Sequence, residues 1–310
     1  MTGQLTDTIL MVPPTDFAFN EETAANNEFQ NRIEAPAEAL RRTVRAEFDA
    51  AVGLLRGAGV NVLVLEKPAG LPELPDAVFP NNWFATEADG SAYIFKMASR
   101  NRQAETLQWP ALEGLLAQAG RQPLQLIRMD DAAAPVLEGT GSLILDRVGR
   151  VAYAALSERT DAASLAQWAQ AAGYAEVVSF GTRSRNGKPF YHTNVMLAIA
   201  EGFAAVCLEC IADPAERAHV RAKLAERHEV IELTARQTEE SFCANILQVR
   251  GAAGPVTVMS QTAYEGFTPA QRAAMEAYGP LLPLPIPTIE RVGGGSARCM
   301  MAEVFLPARA

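Results

Sequence analysis

The residues best suited to chemistry stand near the end of the sequence, where Gly293, Gly294 and Gly295 precede Arg298 and Cys299. A glycine run lets the backbone adopt φ > 0 and approach a ligand closely. A neighbouring cation favours the thiolate form of a cysteine, and the thiolate is the nucleophile. A lone cysteine in an apolar strand is more often structural. The glycine run and the arginine instead favour Cys299 as a nucleophile at the start of the last predicted strand.

Other polar residues interrupt apolar stretches of the sequence at corresponding places, just before or at the start of a predicted strand. They are Asp76, Asn81, Asn82, Glu138, His192, Asn194, Cys243, Asn245 and Cys299. If the strands they precede close into a ring, these positions converge at one end of its axis. A thiol, an imidazole and two carboxylates would then share one pocket, which is the kind of site that supports catalysis.

The elements that position these residues repeat one pattern of strand, turn, strand, helix and strand, in units of about 60 residues. Apolar spacing predicts helices over 37–58, 103–119, 161–172, 214–227 and 268–278. It predicts strands over 8–12, 61–65, 83–86, 92–97, 124–128, 142–146, 151–156, 176–180, 194–200, 203–210, 229–233, 245–250, 255–259, 281–286 and 299–306. The last strand can supply the one that the first unit lacks. We therefore predict a single α/β domain over 1–310, closed as a five-unit ring without free sheet edges.

The composition of the chain limits the classes of partner that it can bind. The chain has 310 residues, of which 49% are hydrophobic and 20% charged, and its net charge is −9. An acidic chain without a basic run argues against nucleic acid or an anionic membrane as partner. We see no signal peptide and no apolar segment approaching the roughly 20 residues that span a bilayer. Four cysteines do not form a secreted disulfide framework, so we expect a cytoplasmic protein.

Four separated motifs resemble those of the guanidino-group-modifying enzymes. They are Pro-Asp-Ala-Val-Phe-Pro-Asn-Asn at 75–82, Glu-Gly-Thr-Gly at 138–141, His-Thr-Asn at 192–194 and Gly-Gly-Gly-Ser-Ala-Arg-Cys-Met at 293–300. The resemblance covers essentially the whole chain and implies a five-bladed α/β-propeller (pentein) fold. The motif Phe-Pro-Asn-Asn-Trp at 79–83 and the segment at 96–105 look most like the corresponding segments of the amidinotransferase-related citrulline-utilisation hydrolases.

The resemblance implies a role for four residues. Cys299 is the nucleophile, His192 the acid and base, Glu138 the carboxylate partner of that histidine, and Asp76 a ligand of the planar nitrogen group of the substrate. A thiolate attacking the central carbon of a guanidinium or ureido group gives a covalent sulfur-linked intermediate. An imidazole suits the two proton transfers, which occur near neutral pH. The resemblance calls for no cofactor, and the sequence carries no cluster of metal ligands.

Two departures from the family pattern bear on the substrate. Ser142 stands where the deiminase motif often ends in an acidic residue, and Asn194 replaces an aspartate that arginine deiminases carry two residues after the histidine. A cationic guanidinium prefers two carboxylates, whereas an amide suits a neutral ureido group. We therefore expect hydrolysis of citrulline to ornithine, ammonia and carbon dioxide. The alternatives are an arginine deiminase or dimethylarginine hydrolase, an amidinotransferase and, remotely, a non-enzymatic binding protein that shares the ring.

The remaining assignments concern the rest of the pocket. An arginine fork matches the α-carboxylate of an amino acid. The substrate-binding candidates are Asp76, Asn82, Asn194, Arg298 and Arg100, with Arg183 and Arg185 as further arginines.

The sequence leaves open whether the loop at 181–189 is a lid or a solvated surface loop, whether Cys243 is a second reactive thiol, and whether the chain forms a homo-oligomer. Cys207 and Cys210 lie inside a predicted strand, so we interpret them as neither a zinc site nor a redox centre.

Overall fold

Short strands build the molecule, which a computed structural model describes over residues 3–308. The strands are β1 Thr8–Met11, β2 Asn61–Val64, β3 Phe84–Thr86, β4 Ser91–Phe95, β5 Gln125–Met129, β6 Ile144–Asp146, β7 Val151–Ala155, β8 Glu176–Phe180, β9 Leu197–Ile199, β10 Phe203–Val206, β11 Glu229–Glu232, β12 Leu247–Gly251, β13 Gly254–Ser260, β14 Leu281–Leu284 and β15 Ala302–Glu303. Over these residues they form five sheets of three strands each. The predicted five-unit α/β fold is therefore confirmed.

Every sheet has the same internal order. The strand orders are β15-β1-β2, β3-β4-β5, β6-β7-β8, β9-β10-β11 and β12-β13-β14. In each, the middle strand pairs antiparallel with the first and parallel with the last. An antiparallel pair needs a short turn, whereas a parallel pair needs a longer crossover. This difference explains why a short turn follows the first strand of a unit and a helix follows the second.

One sheet joins the two ends of the chain. β15 pairs antiparallel with β1, with Ile9 opposite Glu303, and β1 pairs parallel with β2. The predicted completion of the first unit by the last strand is confirmed. The predicted bounds of that strand, 299–306, are wrong, because β15 has two residues. Cys299 lies before β15, in a turn over residues 297–300.

Helices cover the sheets. They are α1 Ala37–Gly57, α2 Arg100–Gln103, α3 Trp109–Gln118, α4 Gly139–Ser142, α5 Ala162–Ala171, α6 Pro214–Ala225, α7 Ala235–Ser241, α8 Gln261–Gly266, α9 Pro269–Glu276 and α10 Pro287–Gly293. The predicted helix over 103–119 is broken: a 3-10 turn, Ala104–Gln108, precedes α3, whose first turn carries a proline. Proline has no backbone N–H and is favoured at a helix start, so a new helix begins there. α4, α7, α8 and α10 were not predicted, and the predicted helix over 103–119 includes only the last residue of α2.

A short turn leads into the first strand of each sheet, and these turns touch one another in order. We call them the turn ring, residues 80–82, 139–142, 193–195, 244–245 and 297–300. The hydrogen bonds that link neighbours run from Thr140 Oγ1 to Asn81 O (3.3 Å), from Thr193 Oγ1 to Ser142 O (2.6 Å), from Asn245 Nδ2 to Asn194 O (3.0 Å) and from Arg298 N to Asn245 O (3.2 Å). The five units therefore contact one another at the turn ring.

The apolar core lies between the sheets and their helices. α1 shows why: Val44, Phe48, Val52 and Leu55 recur at helical spacing and are buried. Among residues 3–308, no helix has both the length and the apolar character needed to cross a bilayer.

Candidate active site

Cys299 lies in the turn ring, held by two asparagines from neighbouring turns. Asn245 Nδ2 is 3.2 Å and Asn194 Nδ2 is 3.4 Å from the sulfur. Asn245 Oδ1 also accepts a hydrogen bond from the backbone N–H of Cys299, at 3.3 Å. The side chain of Cys299 is 3% exposed. Two neutral amides therefore orient the thiol at the wall of the cavity.

His192 and Glu138 form a buried pair in the neighbouring turns. His192 Nε2 lies 2.7 Å from Glu138 Oε2, and the backbone N–H of Ala98 donates to Oε1 at 2.9 Å. The guanidinium of Arg159 lies 3.5 Å from Glu138 Oε2. Ser142 accepts from the backbone N–H of Glu138 and donates to the carbonyl of Arg159, so this departure from the family motif joins the two residues.

Burial and charge set the protonation of this pair. Burial lowers the pKa of His192 to about 4, against the raising effect of Glu138. Burial alone would raise the pKa of Glu138, but the charge of Arg159 and the hydrogen bond of His192 hold it at about 2. At neutral pH the carboxylate is ionised and the imidazole is neutral. The ring then carries its proton on Nε2, facing Glu138, and keeps Nδ1 available as an acceptor.

Asp76 is a buried carboxyl with one oxygen satisfied and one free. Its Oδ2 accepts from Asn20 Nδ2 at 2.7 Å and from the hydroxyl of Thr23 at 3.2 Å. Its Oδ1 is buried without a partner among the described residues. Burial raises the pKa of Asp76, although the charge of Arg102 works against that rise. A buried acceptor without a partner is costly unless a ligand satisfies it.

Arg102 fixes the orientation of Asn82 beside Asp76. Its guanidinium donates to both carboxylate oxygens of Glu105, at 2.7 and 3.1 Å, and to Asn82 Oδ1 at 2.9 Å. With Oδ1 occupied, Asn82 turns Nδ2 away from Arg102, and that atom has no partner in the described chain. Asn194 Oδ1 is likewise without a partner there. The site thus offers a carboxyl oxygen, an amide donor and an amide acceptor to a ligand.

A small cavity connects these groups. Its lining consists of Asn27, Asp76, Phe79, Asn82, Arg102, Arg159, Tyr191, His192, Gly293, Gly294, Gly295 and Cys299. The cavity volume is about 10 Å³, which is room for a single water molecule. An amino acid is far larger, so the walls must move before a substrate can enter.

One wall of the cavity is formed by the stretch over residues 20–31, which we call the covering segment and which contributes Asn27 to the lining. Asn27 Nδ2 donates to the carbonyl of Gly294 at 3.2 Å, and Gln30 Nε2 donates to that of Gly293 at 3.2 Å. Gly294 has φ +64°, and a Cβ there would lie 2.6 Å from Gln30 Cγ. Glycine is therefore required both for the backbone conformation and for the approach of the covering segment.

The structure brings several of the predicted site residues together. Asp76, Asn82, His192 and Cys299 line one cavity, and Glu138 contacts the ring of His192. Asn194 lies against the sulfur of Cys299. These predicted residues therefore lie next to one another, as their positions in the repeat suggested.

The predicted arginines lie elsewhere. Arg298 turns its guanidinium to Glu303 and to the carbonyl of Met301, both at 2.7 Å, and lines a different cavity. It therefore does not serve Cys299 as a free neighbouring cation. Arg100 is exposed at the start of α2 and does not line the site cavity. Arg183 and Arg185 also lie outside that lining, and Arg185 pairs with Glu240.

Two further open questions receive structural answers. The loop at 181–189 contributes no residue to the lining of the cavity. It contacts the covering segment through Asn186 Nδ2 and Glu28 Oε2, at 3.1 Å. Cys243 is fully buried with its sulfur near the carbonyl of Ala263, and burial raises its pKa to about 12. Cys243 is therefore a packed thiol and does not line the cavity.

Sequence reasoning missed Arg102, Arg159 and Asn245 as parts of the site, together with the covering segment. Arg159 directly follows the acidic Glu158 after a buried strand, a pattern that usually marks a solvated turn. It is nevertheless 2% exposed, because Asn26 and Thr23 of the covering segment accept its hydrogen bonds. Asn245 occupied the expected axial position but received no role.

The fold is similar to that of solved guanidino-modifying enzymes. The N-terminal domain of ArgZ, covalently bound to a reaction intermediate, has a TM-score of 0.71 at 17% identity, over 97% of this chain and 99% of that one. ArgZ is described as an arginine dihydrolase from cyanobacteria. AgrE in complex with L-arginine has a TM-score of 0.74 at 18% identity, and this chain spans 40% of its length.

A third similar structure is a dimethylarginine dimethylaminohydrolase adduct with S-methyl-L-thiocitrulline, with a TM-score of 0.64 at 16% identity over 96% of this chain and 99% of that one. At such identities the likeness concerns the fold. No curated protein sequence matches this chain. The family model of N,N dimethylarginine dimethylhydrolase, eukaryotic, however, matches residues 13–306. The chain therefore belongs to the N,N dimethylarginine dimethylhydrolase family, within the pentein superfamily of guanidino-group-modifying enzymes.

Proposed function

We propose that this protein hydrolyses a C–N bond of an amino acid that carries a ureido or guanidino group, and that citrulline is its substrate. The observation that carries this proposal is the setting of Cys299. Its sulfur lies against two neutral amides, from Asn194 and Asn245, and no carboxylate occupies either position. A cationic group above the thiol would find fewer negative charges there than in a site built from two aspartates.

Asp76 supports the same choice. Because burial raises its pKa, the carboxyl is more readily protonated than an exposed aspartate. A protonated carboxyl donates one hydrogen bond and accepts another, which matches the C=O and N–H groups of a ureido group. The guanidinium groups of Arg102 and Arg159 line the same cavity and disfavour a further cation.

The reaction follows from these positions. The sulfur of Cys299 attacks the ureido carbon, and the C–N bond to the ornithine nitrogen breaks. His192 takes the thiol proton and gives it to the departing amine, which leaves a carbamoyl group on the sulfur. A water molecule, deprotonated by His192, then attacks this carbonyl carbon and releases the sulfur. The carbamate so formed decomposes to ammonia and carbon dioxide. Glu138 holds the imidazole and stabilises its cationic form.

Arg159 is the best placed group for the α-carboxylate of the substrate. It lines the site cavity and also an outer cavity of about 270 Å³ that Asn26, Lys188 and Tyr191 help to form. Its partners on the covering segment are the neutral oxygens of Asn26 and Thr23. A substrate carboxylate can replace these oxygens as the covering segment moves, with a gain in charge complementarity.

A guanidino substrate is the second candidate. The family model describes dimethylarginine hydrolysis, and an ionised Asp76 can accept two N–H groups from a guanidinium. The protonation of Asp76 therefore separates the two candidates, since an ionised carboxylate suits a cation and a neutral carboxyl suits a ureido group. An amidinotransferase would use the same thiol but pass the group to an amine in place of water.

The test offers purified protein citrulline, arginine, N,N-dimethylarginine and agmatine in parallel, with and without an added amine acceptor such as glycine. Ornithine and ammonia from citrulline, absent in Cys299→Ser, support the proposal. Citrulline formed from arginine or dimethylarginine would replace it with the second candidate, and an amidino product on the added amine would indicate a transferase. No turnover, together with no labelling of Cys299 by a haloacetamidine, would indicate a binding protein.

A matched variant sharpens the choice. Asn194→Asp places a carboxylate beside the sulfur with almost no change in side-chain volume. We expect the ratio of citrulline to arginine turnover to fall in this variant, because the new charge favours the cation. An unchanged ratio would remove Asn194 from the explanation of substrate choice.

A further inference from the structure

Cys207 and Cys210 lie in a tight turn outside the site described above. β10 ends at Val206, and a single 3-10 turn, Leu208–Cys210, follows it. The predicted strand over 203–210 is therefore too long. The two cysteines do not lie inside a strand, so that reason for not interpreting them as a redox centre no longer applies. The backbone N–H of Cys207 donates to the carbonyl of Met196 at 2.9 Å, which anchors the start of the turn beside β9.

The turn brings the two sulfur atoms together. Cys207 Sγ and Cys210 Sγ are 2.6 Å apart, and both residues are free thiols. This separation is typical of two hydrogen-bonded oxygens, roughly 2.5–3.0 Å, although sulfur is the larger atom. A disulfide bond is about 2.05 Å long, so the sulfurs would have to move together by about half an ångström to form one. The two side chains are thus already placed for a bond within the turn.

The contact between the two sulfurs shifts the pKa of both thiols. It lowers the pKa of Cys207 and raises that of Cys210. Either sulfur can be the donor in this contact, so either thiolate can be the nucleophile. A metal site would need more ligands, and the described residues contain no group of three or more histidine, cysteine or acidic side chains that could hold an ion.

Access to the pair restricts the oxidant. Both cysteines are buried, at 0% and 1% exposure, but Cys210 lines a surface cavity of about 390 Å³. Arg183, Arg217 and the acidic Glu209 line the same cavity, which is therefore polar. A protein disulfide is too large to reach sulfur atoms at this depth, whereas a small peroxide can enter.

We propose that Cys207 and Cys210 are a reversible dithiol–disulfide modification site, oxidised by a peroxide. The thiolate of one of the two cysteines attacks one peroxide oxygen, the O–O bond breaks, and the other oxygen leaves as water or an alcohol. That cysteine is then a sulfenic acid. The sulfur of the other cysteine attacks the sulfenic sulfur, loses its proton and releases water as the disulfide forms. The dithiol loses two electrons and the peroxide gains them, and a small dithiol reverses the step.

The experiment uses the native protein and the positions of its cleavage sites. Cleavage after lysine and arginine leaves Cys207 and Cys210 on one peptide without another cysteine, and places Cys243 and Cys299 on two separate peptides. The folded protein is treated with hydrogen peroxide at a small molar excess, denatured, alkylated and analysed by peptide mass. The Cys243 peptide is the internal control, because that thiol is buried without a sulfur partner.

We expect both cysteines of this peptide to escape alkylation, and the peptide to be about 2 Da lighter than the unalkylated dithiol form, since two hydrogens have left. A dithiol reductant applied before alkylation should restore the alkylation of both cysteines. In Cys210→Ser, oxidation should stop at a sulfenic acid on Cys207 that a 1,3-diketone can trap. A peptide in which both cysteines are still alkylated under conditions that oxidise Cys299, or one in which a cysteine gains oxygen while no disulfide forms, would overturn the proposal.

Discussion

Asn245 holds Cys299 at two points of the residue, with its amide nitrogen 3.2 Å from the sulfur and its amide oxygen 3.3 Å from the backbone nitrogen. The same amide nitrogen is 3.0 Å from the carbonyl of Asn194, whose own side chain contacts the sulfur. Three neighbouring turns are therefore joined at the nucleophile. The position of the thiol depends on all of them.

Asn245→Ala should make Cys299 less reactive. The substitution removes one donor to the sulfur and the brace on its backbone, and a hydrogen bond to a developing charge is worth about 1.5–3 kcal/mol. We expect alkylation of Cys299 by iodoacetamide to slow by roughly tenfold or more. Asn194→Ala, which removes the longer contact, should have a smaller effect. Equal rates in wild type and Asn245→Ala would show that the amide does not activate the thiol.

Gly141→Ala should lower kcat/KM by roughly 100-fold while the protein still folds. A Cβ at Gly141 would lie 2.4 Å from Asn82 Nδ2 and 2.8 Å from His192 Nδ1, so both side chains must shift. A displacement of about 1 Å in a catalytic group can cost roughly 100-fold in rate. Gly114→Ala in α3 is the matched control, since a Cβ there meets no atom within 4 Å and alanine favours the helix. The measurements are kcat/KM and the thermal unfolding curve, and full activity in Gly141→Ala would contradict the geometry.

His192 should stay neutral well below the usual range of histidine. Because burial lowers its pKa to about 4, its ring resonances should move near pH 4. The unfolded chain takes up this proton near pH 6.5, so stability should fall as the pH drops from about 6.5 to 4, on the order of 3 kcal/mol from this group. NMR titration can follow the ring directly, since the chain has three histidines and His192→Asn identifies the signal. A midpoint near 6.5 would mean that the ring is solvated.

Cys243→Ala should leave activity almost unchanged. The thiol is buried beside the carbonyl of Ala263, its pKa is raised to about 12 by burial, and it does not line the site cavity. Loss of the buried sulfur atom should lower the unfolding temperature slightly. The comparison is kcat/KM at a temperature where both proteins are folded, with Cys299→Ser as the inactive reference. Inactivity of folded Cys243→Ala would restore it as a candidate second thiol.

The covering segment should open to admit substrate and should be protected once substrate binds. Its contacts with the glycine run are side-chain hydrogen bonds from Asn27 and Gln30, and residues 20–31 contain no regular helix or strand. Such segments have low local stability. Hydrogen exchange by mass spectrometry should show fast exchange of 20–31 that slows when citrulline is added to Cys299→Ser. Slow exchange without ligand would mean that another wall opens.

The repeat and the axial positions could be predicted from sequence because they rest on local patterns. Turn residues and apolar runs recur in each unit, and β8 has the predicted bounds of 176–180. The last strand was predicted too long because β15 has two residues, too few for alternation to define its start. The helix α10 was missed since its Pro-rich approach resembled an extended strand.

The arginines show what a single sequence lacks. Arg298 is next to Cys299 in the chain, yet successive residues of a turn point in different directions, and its guanidinium meets Glu303 instead. Arg159 has the sequence context of a surface residue, but its partner Asn26 is 133 positions away. Burial that depends on distant contacts leaves no local pattern to detect.

The pairing of β1 with β15 has a kinetic consequence. Ile9 and Glu303 lie near opposite ends of the sequence, so this contact closes a loop of almost the whole chain, and contacts of high sequence separation form slowly. Cys299 lies in the turn that leads into β15 and is held by Asn245 of another unit. A partly folded chain in which several sheets have already formed would therefore still not hold Cys299 in its position in the site. Recovery of activity during refolding should lag behind recovery of secondary structure.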